Sequence, residues 1–170
     1  MVIMSFRTEA QGVLSGPNMS VRCTFGRGGV VTPAAKREGD GATPAGPLPF
    51  RAAFYRPDRE PLPETALPCF ALAPDDLWCD DPSHPAYNTR VKNPFSARAE
   101  TLWREDGLYD LIIVLGWNDD PVIPAAGSAI FLHLARTDWA PTEGGIGVDR
   151  AAMLRILSVA RLGDGVMIVP

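Results

Sequence analysis

Proline and glycine punctuate this chain from end to end, with 17 Pro and 16 Gly spread along 170 residues rather than gathered into one tract. Proline removes a backbone donor and fixes φ, and glycine costs backbone entropy inside any regular element. Breakers at this spacing disfavour a helical bundle and favour short strands joined by turns. The length suits one domain, residues 1–170, able to bury a core without disulfides or metals.

Between the breakers, the apolar pattern is that of strands. Residues 2–6, Val13-Leu14 and residues 19–25 are short apolar or alternating runs, and Ser15-Gly16-Pro17-Asn18 predicts a hairpin turn. Residues 26–29 predict a tight reversal before Val30-Val31, and the polar, Gly- and Pro-rich segment 36–47 an ordered surface loop. Residues 56–94 carry Pro57, Pro61, Pro63, Pro68, Pro74, Pro82, Pro85 and Pro94, yet Phe70, Trp78 and Tyr87 stand among them. A disordered linker rarely carries such aromatics, so a long packed excursion is expected. Residues 111–115 and 129–134 read as buried strands. Asp149 is a good N-cap for a helix over 150–160, with Ala152, Met153, Ile156, Leu157 and Ala160 on one face; Gly163-Asp164-Gly165 stops it before a strand at 166–169.

Charge and composition then exclude several functions. A net charge of -4 opposes nucleic-acid binding, which calls for a basic face, and Lys36-Arg37 reads as a solvated turn. No run approaches the roughly 20 apolar residues of a membrane span. Arg7, Thr8 and Glu9 interrupt the apolar start before a signal-peptide core develops. Cys23, Cys69 and Cys79 lack metal-ligand spacing and do not form a disulfide framework; each reads as a small buried apolar residue. With His84 and His133 the only histidines, no metal and no other cofactor is expected.

Chemistry concentrates in Gly127-Ser128-Ala129-Ile130-Phe131-Leu132-His133, followed by Thr142-Glu143-Gly144-Gly145. The pattern places His133 at the end of a buried strand, ahead of a glycine-rich turn. A histidine there is either a satisfied structural residue or a positioned base, and spacing alone leaves both open. Arg136 and Glu143 flank this region, as substrate-holding charges or as solvated surface. Trp117 and Asn118 are candidates to line a groove, with capping the core as the other reading for Trp117. Asp119-Asp120 reads as a turn, and His84 as an exposed loop residue.

The segment resembles the active-site region of the L,D-transpeptidase (YkuD-like) family, in the branch with Thr-Glu-Gly-Cys in place of Ser-His-Gly-Cys. The loop Lys36-Arg37-Glu38-Gly39-Asp40-Gly41-Ala42-Thr43-Pro44-Ala45-Gly46 is similar to that branch, as are Trp78-Cys79-Asp80-Asp81-Pro82, Tyr87-Asn88 and Tyr109-Asp110-Leu111. Leu115-Gly116-Trp117-Asn118-Asp119-Asp120-Pro121 is similar too, although the branch usually has His where Trp117 stands. The likeness covers about residues 23–160. It implies a mostly-β, single-domain sandwich with a long Pro-rich excursion and a short C-terminal helix.

The resemblance also implies a chemistry. In the family a cysteine thiolate attacks a stem-peptide carbonyl, a histidine takes the thiol proton, and backbone N–H groups stabilise the oxyanion. An amine of a second stem peptide then receives the acyl group. Carried over, the base is His133, and Thr142, Glu143, Gly144, Arg136, Trp117 and Asn118 are candidates to bind substrate or oxyanion. The nucleophile position is occupied by Gly145, which has no side chain. The expected partners are therefore peptidoglycan stem peptides, with a carbapenem as ligand only if the cysteine is restored. The expected reading is a transpeptidase-type site inactive as written, the alternative a non-catalytic stem-peptide binding module. The resemblance implies a periplasmic or cell-envelope location, for which the sequence offers no evident export signal.

Overall fold

A strand apolar at every position has to be buried on both faces. Leu111–Leu115 is such a strand: Leu111, Ile113 and Leu115 join one core, while Ile112 and Val114 join a second with Phe54, Trp78, Tyr109 and Phe131. The structure, a computed structural model, describes residues 6–9 and 12–170. In chain order its strands are β1 (Phe6–Glu9), β2 (Val13–Gly16), β3 (Met19–Thr24), β4 (Val30–Val31), β5 (Thr43–Pro44), β6 (Gly46–Tyr55) and β7 (Cys69–Ala71). They continue as β8 (Asp76–Cys79), β9 (Arg90–Lys92), β10 (Ala99–Thr101), β11 (Leu111–Leu115), β12 (Phe131–Leu134), β13 (Ile146–Val148) and β14 (Gly165–Ile168), with helix α1 (Arg150–Val159) before the last. Apart from Phe6, the expected strand at 2–6 lies outside the described residues.

The main sheet runs β11-β12-β13-β3-β2-β1-β14-β6-β7, and β6 pairs with β11 as well. The layers expected as a sandwich are therefore joined into a ring, with β7 appended. β6 makes the closure: its first half pairs with β14 (Val166↔Leu48) and its second with β11 (Leu111↔Tyr55). Phe50 N–H donates to Asp164 O, so backbone alternation turns the nitrogens of Pro47 and Pro49 away from β14 and spares that ladder. Sequence patterning misses β6 because of those two prolines. The register shifts between Val114 and Leu115 opposite Arg51, which reaches out to Asp119 at 2.7 Å.

Other elements follow their local signals. The β2–β3 hairpin closes with Gly16 opposite Met19 and Asn18 at φ 54, a conformation asparagine tolerates. Asp149 caps α1 by accepting from Ala152 N–H at 2.8 Å, and Ala152, Met153, Ile156 and Leu157 are buried. The helix stops at Val159, with Ala160 extended, one residue short of expectation. Among the described residues, no helix is long and apolar enough to cross a membrane.

One expectation needs correction. Segment 36–47 is a surface loop only in part: Arg37, Gly39 and Pro47 are exposed, but residues 41–45 are buried, Thr43–Pro44 pairs with Val30–Val31, and Lys36 is 3% exposed. The excursion at 56–94 contains β7, β8 and β9, and β8 sits between β9 and β10 in a separate three-stranded sheet. Asp76 anchors that sheet from a fully buried position, accepting from Arg90 and from Ala73 N–H at 2.7 Å. Burial alone would raise its pKa, but Arg90, Ala73 N–H and Lys92 outweigh it and hold the carboxyl below its ordinary range.

Candidate functional site

Alternation along β12 sends Leu132 and Leu134 into the main core and Phe131 into the second one, so His133 shares the face of Phe131. Tyr109 meets both rings edge-on, with centroids 5.8 Å from Phe131 and 5.4 Å from His133. His133 is 6% exposed, and its Nδ1 lies 2.9 Å from Leu134 O. A carbonyl oxygen only accepts, so the proton sits on Nδ1 and the Nε2 lone pair is left free. Burial pushes the pKa from 6.5 down to about 4, which keeps the ring neutral near pH 7. The His133 ring resonances should therefore hold still in an NMR titration from pH 8 to 5; a midpoint near 6.5 would contradict the buried, neutral ring.

The 142–145 turn is brought against this histidine by backbone pairing. Thr142 N–H donates to Phe25 O at 2.8 Å, and Arg27 N–H donates to Thr142 O at 2.8 Å. Thr142 Oγ1 donates to Gly145 O at 2.6 Å and accepts from Gly144 N–H at 3.1 Å. Thr43 Oγ1 reaches the same Gly145 oxygen at 3.4 Å. Gly144 sits at φ +134, which side-chain-bearing residues rarely adopt. Ile146 then pairs with Leu132 as β13 begins, which sets Gly145 beside Phe131 and His133.

A Cβ built on Gly145 would lie 3.1 Å from His133 Nε2 and 2.5 Å from Phe131 O. The direction is that of a nucleophile facing its base. The room is not there, because the obstacle is backbone in a paired strand rather than a side chain free to swing away.

His133 and Gly145 line a cleft of about 370 Å³. Carboxylates dominate its wall: Glu38, Asp80, Glu100 and Glu143. Glu38 Oε2 accepts from Tyr87 OH and from Ser128 Oγ, the latter at 2.8 Å. Burial raises the Glu100 pKa, opposed by the hydrogen bond from Tyr109 OH at 2.6 Å. Lys36, also in the lining, donates to Asp40 at 2.6 Å and to Arg37 O at 2.8 Å. A smaller pocket of about 70 Å³ shares His133, Glu100, Tyr109 and Glu143 with the cleft and adds Arg136, Arg104 and Thr142.

The structure thus gathers His133, Gly145 and Glu143 at the cleft and places Thr142 and Arg136 beside it. Gly144 sits within the turn, its N–H engaged by Thr142. Trp117 and Asn118 are not part of the cleft wall. Trp117 packs on the main core and donates from Nε1 to Ala126 O at 2.9 Å. Asn118 holds the following loop, bonding Ile123 N–H at 2.7 Å and the Gly127 and Ile123 carbonyls at 2.9 Å. None of the three cysteines lines the cleft; Cys23 and Cys79 are buried, and burial pushes the Cys23 thiol up to about 12 and raises Cys69. The Cys23 and Cys69 thiols therefore hold their protons and make poor nucleophiles.

Sequence reasoning did not single out Glu38, Asp80, Glu100, Tyr109 and Ser128 as site residues. Some lie in the motifs that carry the family resemblance, but nothing local reveals that 36–47, 76–100 and 127–133 converge.

Among family models, the one described as YkuD, L,D-transpeptidase catalytic domain, matches residues 7–168, a longer stretch than the motifs alone cover. Comparison with curated proteins and with solved structures gives no match.

Proposed function

Since the chain belongs to the YkuD family of L,D-transpeptidase catalytic domains, we propose that its cleft engages peptidoglycan stem peptides and that Gly145 leaves it without acyl transfer. The observation that carries this reading is the position of Gly145, whose side-chain direction faces the free Nε2 of His133. His133, neutral and with its lone pair on the cleft side, has the form a general base needs. What is missing is the thiol whose proton it would take. No covalent intermediate forms without that sulfur, and the residual rate from binding and backbone dipoles falls by orders of magnitude.

The other roles follow from position. Arg136, exposed next to His133 in the smaller pocket, offers a cation to a stem-peptide carboxylate. Thr142 fixes the turn through Gly144 and Gly145, and Glu143 is tied to Arg27 at 2.8 Å on the rim. The second reading is a stem-peptide binding module that never was a catalytic site, rather than a transpeptidase-type site disabled at one residue, and one observation favours it. The 2.5 Å approach of Phe131 O to a Cβ at position 145 means the turn has settled around a glycine.

Titrating a synthetic stem tetrapeptide into the protein while assaying free D-alanine tests the proposal. Saturable heat with no D-alanine released is expected. Release of D-alanine would refute the loss of acyl transfer, and absence of any binding would refute the stem-peptide ligand.

A further inference from the structure

Most side-chain donors on the cleft wall are already committed to protein acceptors. Ser128 donates to Glu38, Tyr109 to Glu100, and His133 Nδ1 to Leu134 O. The Lys36 side chain is 4% exposed, and its ammonium is held by Asp40 and Arg37 O. Apart from the one remaining N–H of Lys36, the side chains leave acceptors towards the cleft: the carboxylates and the lone pair on Nε2 of His133. The histidine is more than nine-tenths buried, and Nε2 has no hydrogen-bond partner among the described residues.

The carboxylates are unequally neutralised. Asp80 has Arg98 at 3.0 Å, Glu143 has Arg27 at 2.8 Å and Glu100 has Arg104 at 3.7 Å. Among the described residues Glu38 has only Arg98, at 4.0 Å from Oε1. Its other oxygen is pinned by the Tyr87 and Ser128 hydroxyls, so the carboxylate is fixed in place while Oε1 keeps its acceptor capacity. A pre-positioned, weakly compensated carboxylate in the same cleft as a free imidazole lone pair is complementary to a group rich in N–H and positive charge.

We propose that Glu38 is the specificity-determining residue of this cleft, receiving a protonated primary amine of the stem peptide, with Nε2 of His133 accepting a further N–H from the same ligand. The inference rests on the stem-peptide reading above and goes beyond it by naming which group is recognised, and by what. Without a nucleophile the amine is held as a ligand, not consumed as an attacking group.

Calorimetric titration with two synthetic stem tetrapeptides tests it, one with a free side-chain amine and one acetylated at that amine. The free-amine peptide is expected to bind at least about tenfold more tightly, since acetylation removes the charge. In Glu38→Gln the advantage should shrink to within about twofold, with the acetylated peptide unaffected. Equal binding of the two peptides to the unaltered protein overturns this inference and leaves the stem-peptide reading standing. If neither peptide binds, both fall. Discrimination that survives intact in Glu38→Gln overturns the assignment to Glu38; should that variant fail to fold, Glu38→Asp, which withdraws the carboxylate by one methylene, is judged by the same criterion. Putrescine, an amine without the peptide, should compete poorly; competition equal to that of the free-amine peptide would overturn the stem-peptide source of the amine.

Discussion

Gly145→Ala should lower stability by about 2–3 kcal/mol, and the melting temperature by about 5–10 °C. The sign is unusual. Gly145 is absent from the glycines with positive φ, and at such a position alanine ordinarily stabilises a protein by restricting the unfolded chain. Here the new methyl would sit 2.5 Å from Phe131 O. Phe131 cannot yield easily, because β12 is paired on one side with β11 and on the other with β13. Nor can Gly145 back away freely, since its carbonyl oxygen is held by Thr142 at 2.6 Å and approached by Thr43 at 3.4 Å. Urea denaturation of the alanine variant measures the effect. A gain in stability would mean that the turn moves aside at little cost, and that the room for a side chain was never lost.

Asn88→Asp should be more damaging still, at about 3–5 kcal/mol. Asn88 is buried and makes four hydrogen bonds from one amide. Its oxygen accepts from Trp78 Nε1 at 3.0 Å and Ala129 N–H at 3.1 Å, and its nitrogen donates to the Trp117 and Asn118 carbonyls at 2.9 Å each. It thereby ties the small sheet to the 117–129 loop that carries Ser128 into the cleft. Aspartate replaces the two donors with a second acceptor, facing two carbonyl oxygens with a buried charge. Asn88→Ala should be milder, although it still leaves the Trp78 N–H unpaired and puts alanine at φ 60, where asparagine is tolerated better. Chemical denaturation of the two variants would check the order; an aspartate variant as stable as the native protein would rule out the amide as the joint.

Legibility of this fold in its sequence follows the range of the interaction. Leu111–Leu115 is apolar on both faces and declares itself, as does Asp149 ahead of an amphipathic helix. β6 does not, because Pro47 and Pro49 are local signals against a strand, and the partners that overrule them, β14 and β11, lie far along the chain. The same holds at the site. His133 and the 142–145 turn were found through their resemblance to a family. Glu38 and Ser128 meet across 90 residues, with no shared pattern to announce the pair. For Trp117 the core-capping reading fits its packing, and Asn118 organises a loop, because a motif's place in the chain does not say which surface its side chains face. Lys36 looked like a solvated charge, and Asp40 four residues on lets it be buried.

The most direct test of a transpeptidase-type centre disabled at position 145 is intact-protein mass spectrometry after exposure to a carbapenem, run on the unaltered protein and on Gly145→Cys side by side. The unaltered protein should keep its mass, and a folded Gly145→Cys should gain one carbapenem, its new sulfur lying next to His133 despite the lost stability. An adduct on the unaltered protein, at Cys23, Cys69 or Cys79, would contradict the loss of the nucleophile. A folded Gly145→Cys that stays unmodified would contradict the centre itself.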